Sequence, residues 1–362
     1  MKLLHTADWQ LGLKLRAMSG DRGARARDLR FTVVETMAAL AHREGVELVV
    51  VAGDVFEHNQ VSPHVIERTC AALEAFAPLP VVLIPGNHDA GVPQCALARL
   101  ADRVSDHVHV LLEATPVELA GVEVLPCPLV TRHTLDDPAA WVPCRDAGDT
   151  RVRVVVAHGA AHGFGGDGDA VNRIDTEELT SKGVDYVALG DWHGLKVISP
   201  RVAYSGAPEA TRFKEQNTGQ VLLVDIAHAG AEPQLTPERV ARLHWLERSE
   251  SLRMPAEVDA LIAWLDGLSP VADTLVKLRL DGALSPADRN RLDVALERAA
   301  ERLLHLQIRS DEITLALEAS ELGEMDAPGF VGEALEQLLA REDVVHQDAA
   351  RLLLRLLAEA RA

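Results

Sequence analysis

The chain has 362 residues, about twice the length of a typical domain, so we expect one large domain and a smaller one. Hydrophobic residues make up 48% and charged residues 25%, a balance that excludes a mostly disordered chain. Lysine and arginine number 36 against 55 aspartates and glutamates, a net charge of −19. This charge argues against wrapping duplex DNA by bulk electrostatics, but it allows local contacts through metal ions or a small basic patch.

Cysteine usage and hydropathy argue against export and against a membrane anchor. The four cysteines form no C-x-x-C pair, so we expect free thiols in a reducing compartment. All are expected to be small core residues: Cys70, Cys95, Cys127 and Cys144. Asp8 interrupts the apolar start before a secretory signal can form, and no apolar run is long enough to span a bilayer. The sequence therefore predicts a soluble, cytoplasmic protein.

The first half of the chain alternates short β-branched runs with helical patterns. Strands are predicted at 2–5, 46–51, 81–84, 108–112, 117–125, 152–157, 186–189, 197–204 and 221–226. Helices are predicted at 24–43 and after Ser62, which can cap a helix that begins at Pro63. Since the later strands have few helices between them, we expect a layered α/β (α+β) fold built on a large mixed sheet or a two-sheet sandwich.

The pattern changes after a turn at 227–237 and a last strand at 242–246. Three parts are predicted: a catalytic domain at 1–250, a small α+β domain at 251–325 and C-terminal helices at 326–362. The small domain combines strands at 274–280, 304–308 and 313–317 with a helix that begins at Ser285-Pro286. The last two helices carry apolar stripes, expected to be core rather than docking surface: Val331, Leu335, Leu338 and Leu339, then Ala349, Leu353, Leu356 and Leu357.

Short polar segments stand where predicted strands end. They are Asp8-Trp9-Gln10, Gly53-Asp54, Gly86-Asn87-His88-Asp89, His158-Gly159 and Gly190-Asp191-Trp192-His193. Because strand ends of one sheet converge, we expect these side chains to meet at one site. Oxygen donors and imidazoles without an activated serine or cysteine are typical of a metal centre.

The order of these segments resembles the calcineurin-like metallophosphoesterase superfamily, whose pattern is D-x-H, G-D, G-N-H-D, G-H and G-H-x-H. The residues at 4–9, 51–56, 84–89 and 204–208 are similar to its DNA repair nuclease branch, which contains the nuclease subunit of bacterial SbcCD. The resemblance covers residues 1 to about 226. It implies a two-sheet sandwich flanked by helices, and the small domain is similar in layout to that branch's DNA-facing capping domain.

The resemblance also implies two divalent metal ions and a proton donor. The ligands it implies are Asp8, Gln10 and His193 for one ion, Asn87, His158 and Asp191 for the other, and Asp54 for both. His88 is the implied donor of a proton to the leaving oxygen, and Asp89 is expected to orient its imidazole. Together the ions can hold a phosphodiester and neutralise the charge that develops on attack.

Two positions depart from the family pattern. Gln10 stands where the family usually has histidine, and Asp191 stands where the last motif usually begins its His-x-His pair. An amide oxygen and a carboxylate can still bind metal, and both make the centre richer in oxygen. We therefore expect Mn²⁺, or else Mg²⁺, rather than Zn²⁺.

Candidate substrate contacts lie near the turn at Ser205-Gly206. Ser205 and Arg212 are predicted to bind substrate, with a solvated surface position as an equal alternative for the arginine. Trp9 and Trp192 are expected to pack beside the ligands rather than to stack on bases. His5 matches no motif position and is expected to be a solvated or capping side chain.

These features predict a metal-dependent DNA nuclease that acts on single-stranded DNA or DNA ends in repair, as an endonuclease or an exonuclease. Two alternatives stay open: a phosphodiesterase or phosphatase acting on nucleotides, and a non-catalytic subunit that binds DNA ends or an ATPase. An SMC-like ATPase or another repair protein is a candidate partner, and a homodimer is a further candidate. No membrane association is expected.

Overall fold

The chain divides into two units, Met1–His244 and Trp245–Ala362, in the computed structural model. The structure describes residues 1–162 except 16 and 19, residues 171–315, residues 329–341 and isolated positions between 343 and 356. The elements of the first unit are β1 (Lys2–Thr6), α1 (Gly20–Glu44), β2 (Leu48–Val51), α2 (Pro63–Leu73), β3 (Val81–Leu83), α3 (Ala96–Ala101), β4 (Val108–Val110), β5 (Val117–Leu119), β6 (Val122–Cys127), β7 (Val152–His158), β8 (Ala160–Ala161), β9 (Arg173–Ile174), α4 (Thr176–Ser181), β10 (Tyr186–Gly190), β11 (Lys196–Ser199), β12 (Val202–Tyr204), β13 (Gln220–Asp225) and β14 (Gln234–Arg239).

Most of these strands form two six-stranded mixed sheets. The first has the order β14-β13-β1-β2-β3-β4, and the second has the order β11-β12-β10-β7-β6-β5. Strands β1 to β4 are parallel to one another, as are β6, β7, β10 and β12. Strands β13, β14, β5 and β11 are antiparallel to their neighbours. The predicted two-sheet fold is confirmed.

Apolar layers on both faces of the first sheet hold this unit together. In β2, Val49 and Val51 pack in the layer that contains residues of α1 and α2. Leu48 and Val50 lie in the layer shared with the second sheet. Because both faces of the strand are buried, its sequence is a continuous apolar run rather than an alternation of apolar and polar residues. Helix α4 covers the other face of the second sheet through Leu179.

Two predicted strands are hairpins. The run 117–125 contains β5 and β6, joined by Ala120 and Gly121 at φ values of 51° and 75°. The run 197–204 likewise contains β11 and β12. Two consecutive residues with positive φ favour a tight hairpin turn. Alanine rarely adopts that conformation, so the apolar pattern does not reveal where the chain reverses.

The second unit is a small α+β arrangement. Its elements are β15 (His244–Leu252), α5 (Pro255–Asp266), β16 (Thr274–Leu284), α6 (Pro286–Arg302), β17 (His305–Leu315) and α7 (Gly329–Leu339). The strands form one sheet in the order β15-β16-β17, and β16 and β17 are parallel across α6. The strand predicted at 242–246 as the end of the first domain is therefore β15, which pairs within the second unit.

The structure corrects the expectations for one strand and one cysteine, and it describes only part of the C-terminal helices. The two strands predicted at 304–308 and 313–317 are one strand, β17, and residues 316–317 lie outside the described part. All four cysteines are free, but Cys144 is exposed rather than a core residue. Leu335 of α7 is buried with Ala350, and Leu338 and Leu353 pack against them. Leu357 and the side chain of Leu339 lie outside the described residues.

Within the described residues, no helix has both the length and the apolar character needed to cross a membrane.

His5 joins the two sheets of the first unit. Its imidazole is fully buried, contrary to the expectation of a solvated side chain, and burial lowers its pKa to about 3. The Nε2–H donates to the Leu189 carbonyl at 3.2 Å, so Nδ1 accepts a hydrogen bond from the Tyr186 hydroxyl at 2.9 Å. This pair connects β1 of the first sheet with β10 of the second.

We expect Tyr186→Phe to lower the free energy of unfolding by about 1–3 kcal/mol, because it leaves Nδ1 of a buried histidine without a donor. The measurement is urea denaturation at neutral pH. An unchanged midpoint and slope would show that the hydroxyl does not stabilise the contact between the sheets.

Candidate metal centre

The predicted polar segments meet at the carboxyl ends of β1, β2, β3, β7 and β10. Ligand atoms of Asp8, Asp54 and His158 lie within 4.8 Å of one another, and all three residues are buried. In the second sheet, Gly190 of β10 stands opposite His158 of β7. The two sheets thus contribute to one cluster, as the strand-end argument predicts.

The backbone is strained at the residues that form this cluster. Asp8, Gln10, Asp54 and Asp191 have φ values of 55°, 45°, 54° and 97°. Each such conformation costs about 1–3 kcal/mol and persists only where the surroundings enforce it. Here the Asp8 amide donates to the Gly53 carbonyl at 3.1 Å, and the Gln10 amide donates to the Asp54 carbonyl at 2.9 Å. The first two segments therefore hold each other in the strained form.

Glycines let the backbone approach the ligands closely. A Cβ at Gly86 would lie 2.1 Å from Oδ1 of Asp54, and one at Gly53 would lie 2.3 Å from Nδ1 of His158. A Cβ at Gly190 would lie 2.0 Å from the Ala52 carbonyl oxygen. No larger residue fits at these positions without moving a side chain or the backbone of the cluster.

The pKa values at the cluster reflect its buried carboxylates. Burial raises the pKa of Asp8 to about 6, although His158 and His193 favour its charged form. For His158, burial disfavours the charged ring, but the carboxylates of Asp54, Asp8 and Asp191 outweigh it and raise the pKa to about 9. A site that raises the pKa of both a carboxylic acid and an imidazole favours added positive charge.

Two buried atoms without hydrogen-bond partners, one on His158 and one on Asn87, make the cluster suitable for a cation. His158 donates its Nδ1–H to the Ala52 carbonyl at 2.8 Å, so when the ring is neutral, as a metal ligand must be, its Nε2 carries the lone pair. That Nε2 lies 3.5 Å from Oδ1 of Asp54 and 3.7 Å from Oδ1 of Asp191. Among the described residues, neither this nitrogen nor the buried Oδ1 of Asn87 has a hydrogen-bond partner. Unpaired oxygen and nitrogen donors beside carboxylates are the ligand set of a divalent metal.

Both departures from the family pattern lie at the cluster. Gln10 is buried, and its Nε2 lies 3.1 Å from Nε2 of His193. The Asp191 amide donates to both carboxylate oxygens of Asp8, at 3.2 and 3.3 Å. The structure thus places Gln10, Asp191 and His193 in contact with the cluster of Asp8, Asp54 and His158, while Asn87 is adjacent in the chain to His88, whose amide contacts Asp54. Direct metal ligation by Gln10 and Asp191 stays a prediction.

His88 is held beside Asp54 by the backbone. Its amide donates to Oδ1 of Asp54 at 2.9 Å, and its Nδ1 donates to the Glu57 carbonyl at 2.9 Å. The prediction that Asp89 orients this imidazole is wrong. Asp89 is buried and accepts hydrogen bonds from the amides of Gly86 at 2.7 Å and Phe56 at 3.0 Å. Because both of its oxygens face the backbone, Asp89 stabilises the loop, and the Glu57 carbonyl orients the ring.

An open groove runs beside Asp191 and His193. It has a volume of about 510 Å³, and its lining residues include Trp192, Arg212 and Lys214. Trp192 is 50% exposed, so its packing beside the ligands leaves half of the side chain accessible in the groove. Trp9 does pack: it is buried and donates to the Thr6 hydroxyl at 2.9 Å.

Of the two predicted substrate contacts, only Arg212 lines the groove. The prediction for Ser205 is corrected. That residue is fully buried and its hydroxyl donates to the Gly206 carbonyl at 3.3 Å. A hydroxyl without exposed surface cannot reach a substrate.

Sequence reasoning missed two residues that support the site. Glu215 accepts a hydrogen bond from Nδ1 of His193 at 2.7 Å. Arg30, buried in α1, donates to the carbonyls of Trp9 at 2.8 Å and Ala210 at 2.9 Å. Both join segments far apart in the chain, and neither belongs to a local motif, so no sequence pattern marked them.

We expect Gly86→Ala to lower the metal content of the purified protein strongly, because the new Cβ would displace the Asp54 carboxylate. The measurement is elemental analysis after dialysis against Mn²⁺. Gly332, where an added Cβ would have no heavy atom within 4 Å, provides a control as Gly332→Ala. If Gly86→Ala binds as much metal as the control, the backbone at Gly86 does not limit the position of the Asp54 carboxylate.

The match to a protein family agrees with this geometry. The model of the family described as calcineurin-like phosphoesterase matches residues 1–195, more than half of the chain. The crystal structure of TT1561 of Thermus thermophilus is similar at 13% identity, covering 66% of this chain and 98% of that chain, with a TM-score of 0.41. Since the family match spans all the strand-end segments with metal-binding side chains, the chain belongs to the calcineurin-like phosphoesterases, a family of metal-dependent enzymes that hydrolyse phosphoester bonds.

Proposed function

We propose that this protein is a metal-dependent nuclease that hydrolyses phosphodiester bonds in single-stranded DNA or at DNA ends, in a repair setting. The observation that carries the proposal is the groove beside the metal centre. It presents a half-exposed indole, Trp192, together with the cationic side chains of Arg212 and Lys214. An aromatic face for a base next to cations for the backbone is typical of single-stranded nucleic acid binding.

The proposed ligand set is the one that the family resemblance implies, and the contacts among its side chains support it. Asp8, Gln10 and His193 would hold one ion, Asn87, His158 and Asp191 the other, and Asp54 both. Bound divalent ions would polarise the phosphoryl oxygens and offset the charge that develops on attack. The many oxygen donors favour Mn²⁺, with Mg²⁺ as the second choice.

His88 supplies the proton that the leaving oxygen needs. The Glu57 carbonyl accepts its Nδ1–H, which leaves Nε2 to carry the proton that is transferred. His88 is partly exposed and its backbone amide contacts Asp54, so a substrate at the cluster can reach the residue. A purely structural histidine would not need this exposure, which favours an active enzyme over a non-catalytic subunit.

The acidic net charge of −19 restricts how DNA can bind. Contacts confined to the groove cations and the metal centre suit a short single-stranded segment better than a long duplex. The SMC-like ATPase partner, the homodimer and the cytoplasmic location stay predictions.

We expect the protein to cleave a labelled single-stranded oligonucleotide, with higher activity in Mn²⁺ than in Zn²⁺. The rate of oligonucleotide cleavage is compared with the rate at which phosphate or nucleoside monophosphate is released from nucleotides under the same conditions. Cleavage of nucleotides alone would replace the nuclease with a nucleotide phosphodiesterase or phosphatase, and no hydrolysis of either substrate would favour a non-catalytic subunit.

We expect His88→Ala to slow DNA cleavage by about 10²- to 10⁴-fold, the usual range for the loss of a general acid. The backbone amide that contacts Asp54 remains, so metal content should not change. A nitrophenyl phosphodiester has a leaving group that needs no proton, so its hydrolysis should slow much less. The exposed His64 provides the control His64→Ala. Equal losses on both substrates would show that His88 binds phosphate or metal instead.

A further inference from the structure

Glu215 lies directly behind His193 in the groove wall. Its Oε1 accepts the Nδ1–H of the ring at 2.7 Å, and the Glu215 side chain is only 5% exposed. The same carboxylate accepts the Thr211 amide at 2.8 Å and the Thr211 hydroxyl at 2.6 Å. The guanidinium of Arg212 lies 3.2 Å away. One buried carboxylate therefore contacts a proposed metal ligand and two residues of the segment that carries the groove cations.

The geometry of His193 depends on this contact. Because Nδ1 donates to Glu215, Nε2 has the lone pair, and it lies 3.1 Å from Nε2 of Gln10. The ring thus presents its basic nitrogen to the side where the proposed ligands Gln10 and Asp8 lie. A carboxylate behind a histidine ligand fixes the tautomer and makes the ring a stronger donor.

The segment that contains Glu215 is itself tied to the first ligand segment. Arg30 donates from Nη2 to the Trp9 carbonyl at 2.8 Å and from Nη1 to the Ala210 carbonyl at 2.9 Å. Glu209, next to Ala210, accepts the amides of Arg242 at 2.8 Å and Leu243 at 3.0 Å. Residues 209–215 are therefore fixed at one end by Arg30 and Glu209 and at the other by the contact of Glu215 with His193.

We propose that Glu215 is a positioning residue of the metal centre, which holds His193 in the Nδ1–H tautomer with Nε2 toward the metal side and connects that ligand to the Arg212 end of the groove. The proposal rests on the ligand set proposed above, but not on DNA as the substrate.

The test measures Mn²⁺ affinity by calorimetric titration of the full chain, without any substrate. Glu215→Gln keeps the size of the side chain but loses its charge and one acceptor, so it should weaken the site that contains His193 by about 10- to 100-fold. Glu123→Gln is the control, since Glu123 is a mostly buried glutamate of β6 that is also held by cationic side chains, those of Arg151 and Arg153, and it belongs neither to the proposed ligand set nor to residues 209–215. It should leave Mn²⁺ affinity unchanged even if it lowers the melting temperature.

A double-mutant cycle separates positioning from general damage. If Glu215 acts through His193, Glu215→Gln should cause no further loss of Mn²⁺ affinity in a His193→Ala background. An undiminished loss in that background, or a Glu215→Gln variant that binds Mn²⁺ like the parent, would overturn the proposal.

A spectroscopic measurement on the parent covers the case in which Glu215→Gln does not fold. Nitrogen NMR of histidine-labelled, metal-free protein, at a pH where the ring is neutral, should show His193 in the Nδ1–H tautomer. The Nε2–H tautomer would overturn the proposal. If the parent binds no Mn²⁺ at all, the proposed ligand set fails, while the tautomer still reports the contact with Glu215.

Discussion

Burial of carboxylates at the strand ends is the constraint on which the rest of this structure depends. Asp8 and Asp54 are almost completely inaccessible to solvent, yet each is placed where the ends of parallel strands converge. A buried carboxylate is costly unless positive charge or several hydrogen-bond donors accompany it. Burial raises the pKa of Asp8 and the neighbouring carboxylates raise the pKa of His158, so the cluster favours added positive charge, either protons or a cation. The cluster is thus organised for cations supplied from solution.

The surrounding backbone accepts strain to keep these side chains together. Asp8, Gln10 and Asp54 adopt left-handed conformations, and Gly86 and Gly53 leave the space that the side chains of Asp54 and His158 occupy. The apolar layers on either side of the first sheet provide the stability that offsets this cost. A rigid sandwich with strained strand ends is a general way to place ligands within a fraction of an ångström.

The features of the fold and the site that could be predicted from sequence are those encoded by residues close together in the chain. The ligand segments follow predicted strands, and all but the first contain glycine next to a functional side chain, so position in the chain marks them, while the individual ligand roles come from the family resemblance. Contacts between distant segments could not be found in this way. His5 looked solvated because no local pattern shows that Tyr186 and Leu189 lie opposite it. Asp89 is next to His88 in the chain, which suggests that it orients the imidazole. In the folded loop its carboxylate instead accepts hydrogen bonds from backbone amides.

The measurement that tests the central claim most directly is anomalous diffraction at the manganese edge from crystals grown with Mn²⁺. The account predicts anomalous peaks in contact with Asp54, with Asn87 and His158 among the ligands of one ion. Crystals that contain Mn²⁺ but show no peak at Asp54, or that show it only at exposed carboxylates, would contradict the account, because the buried cluster would then balance its charge without a metal.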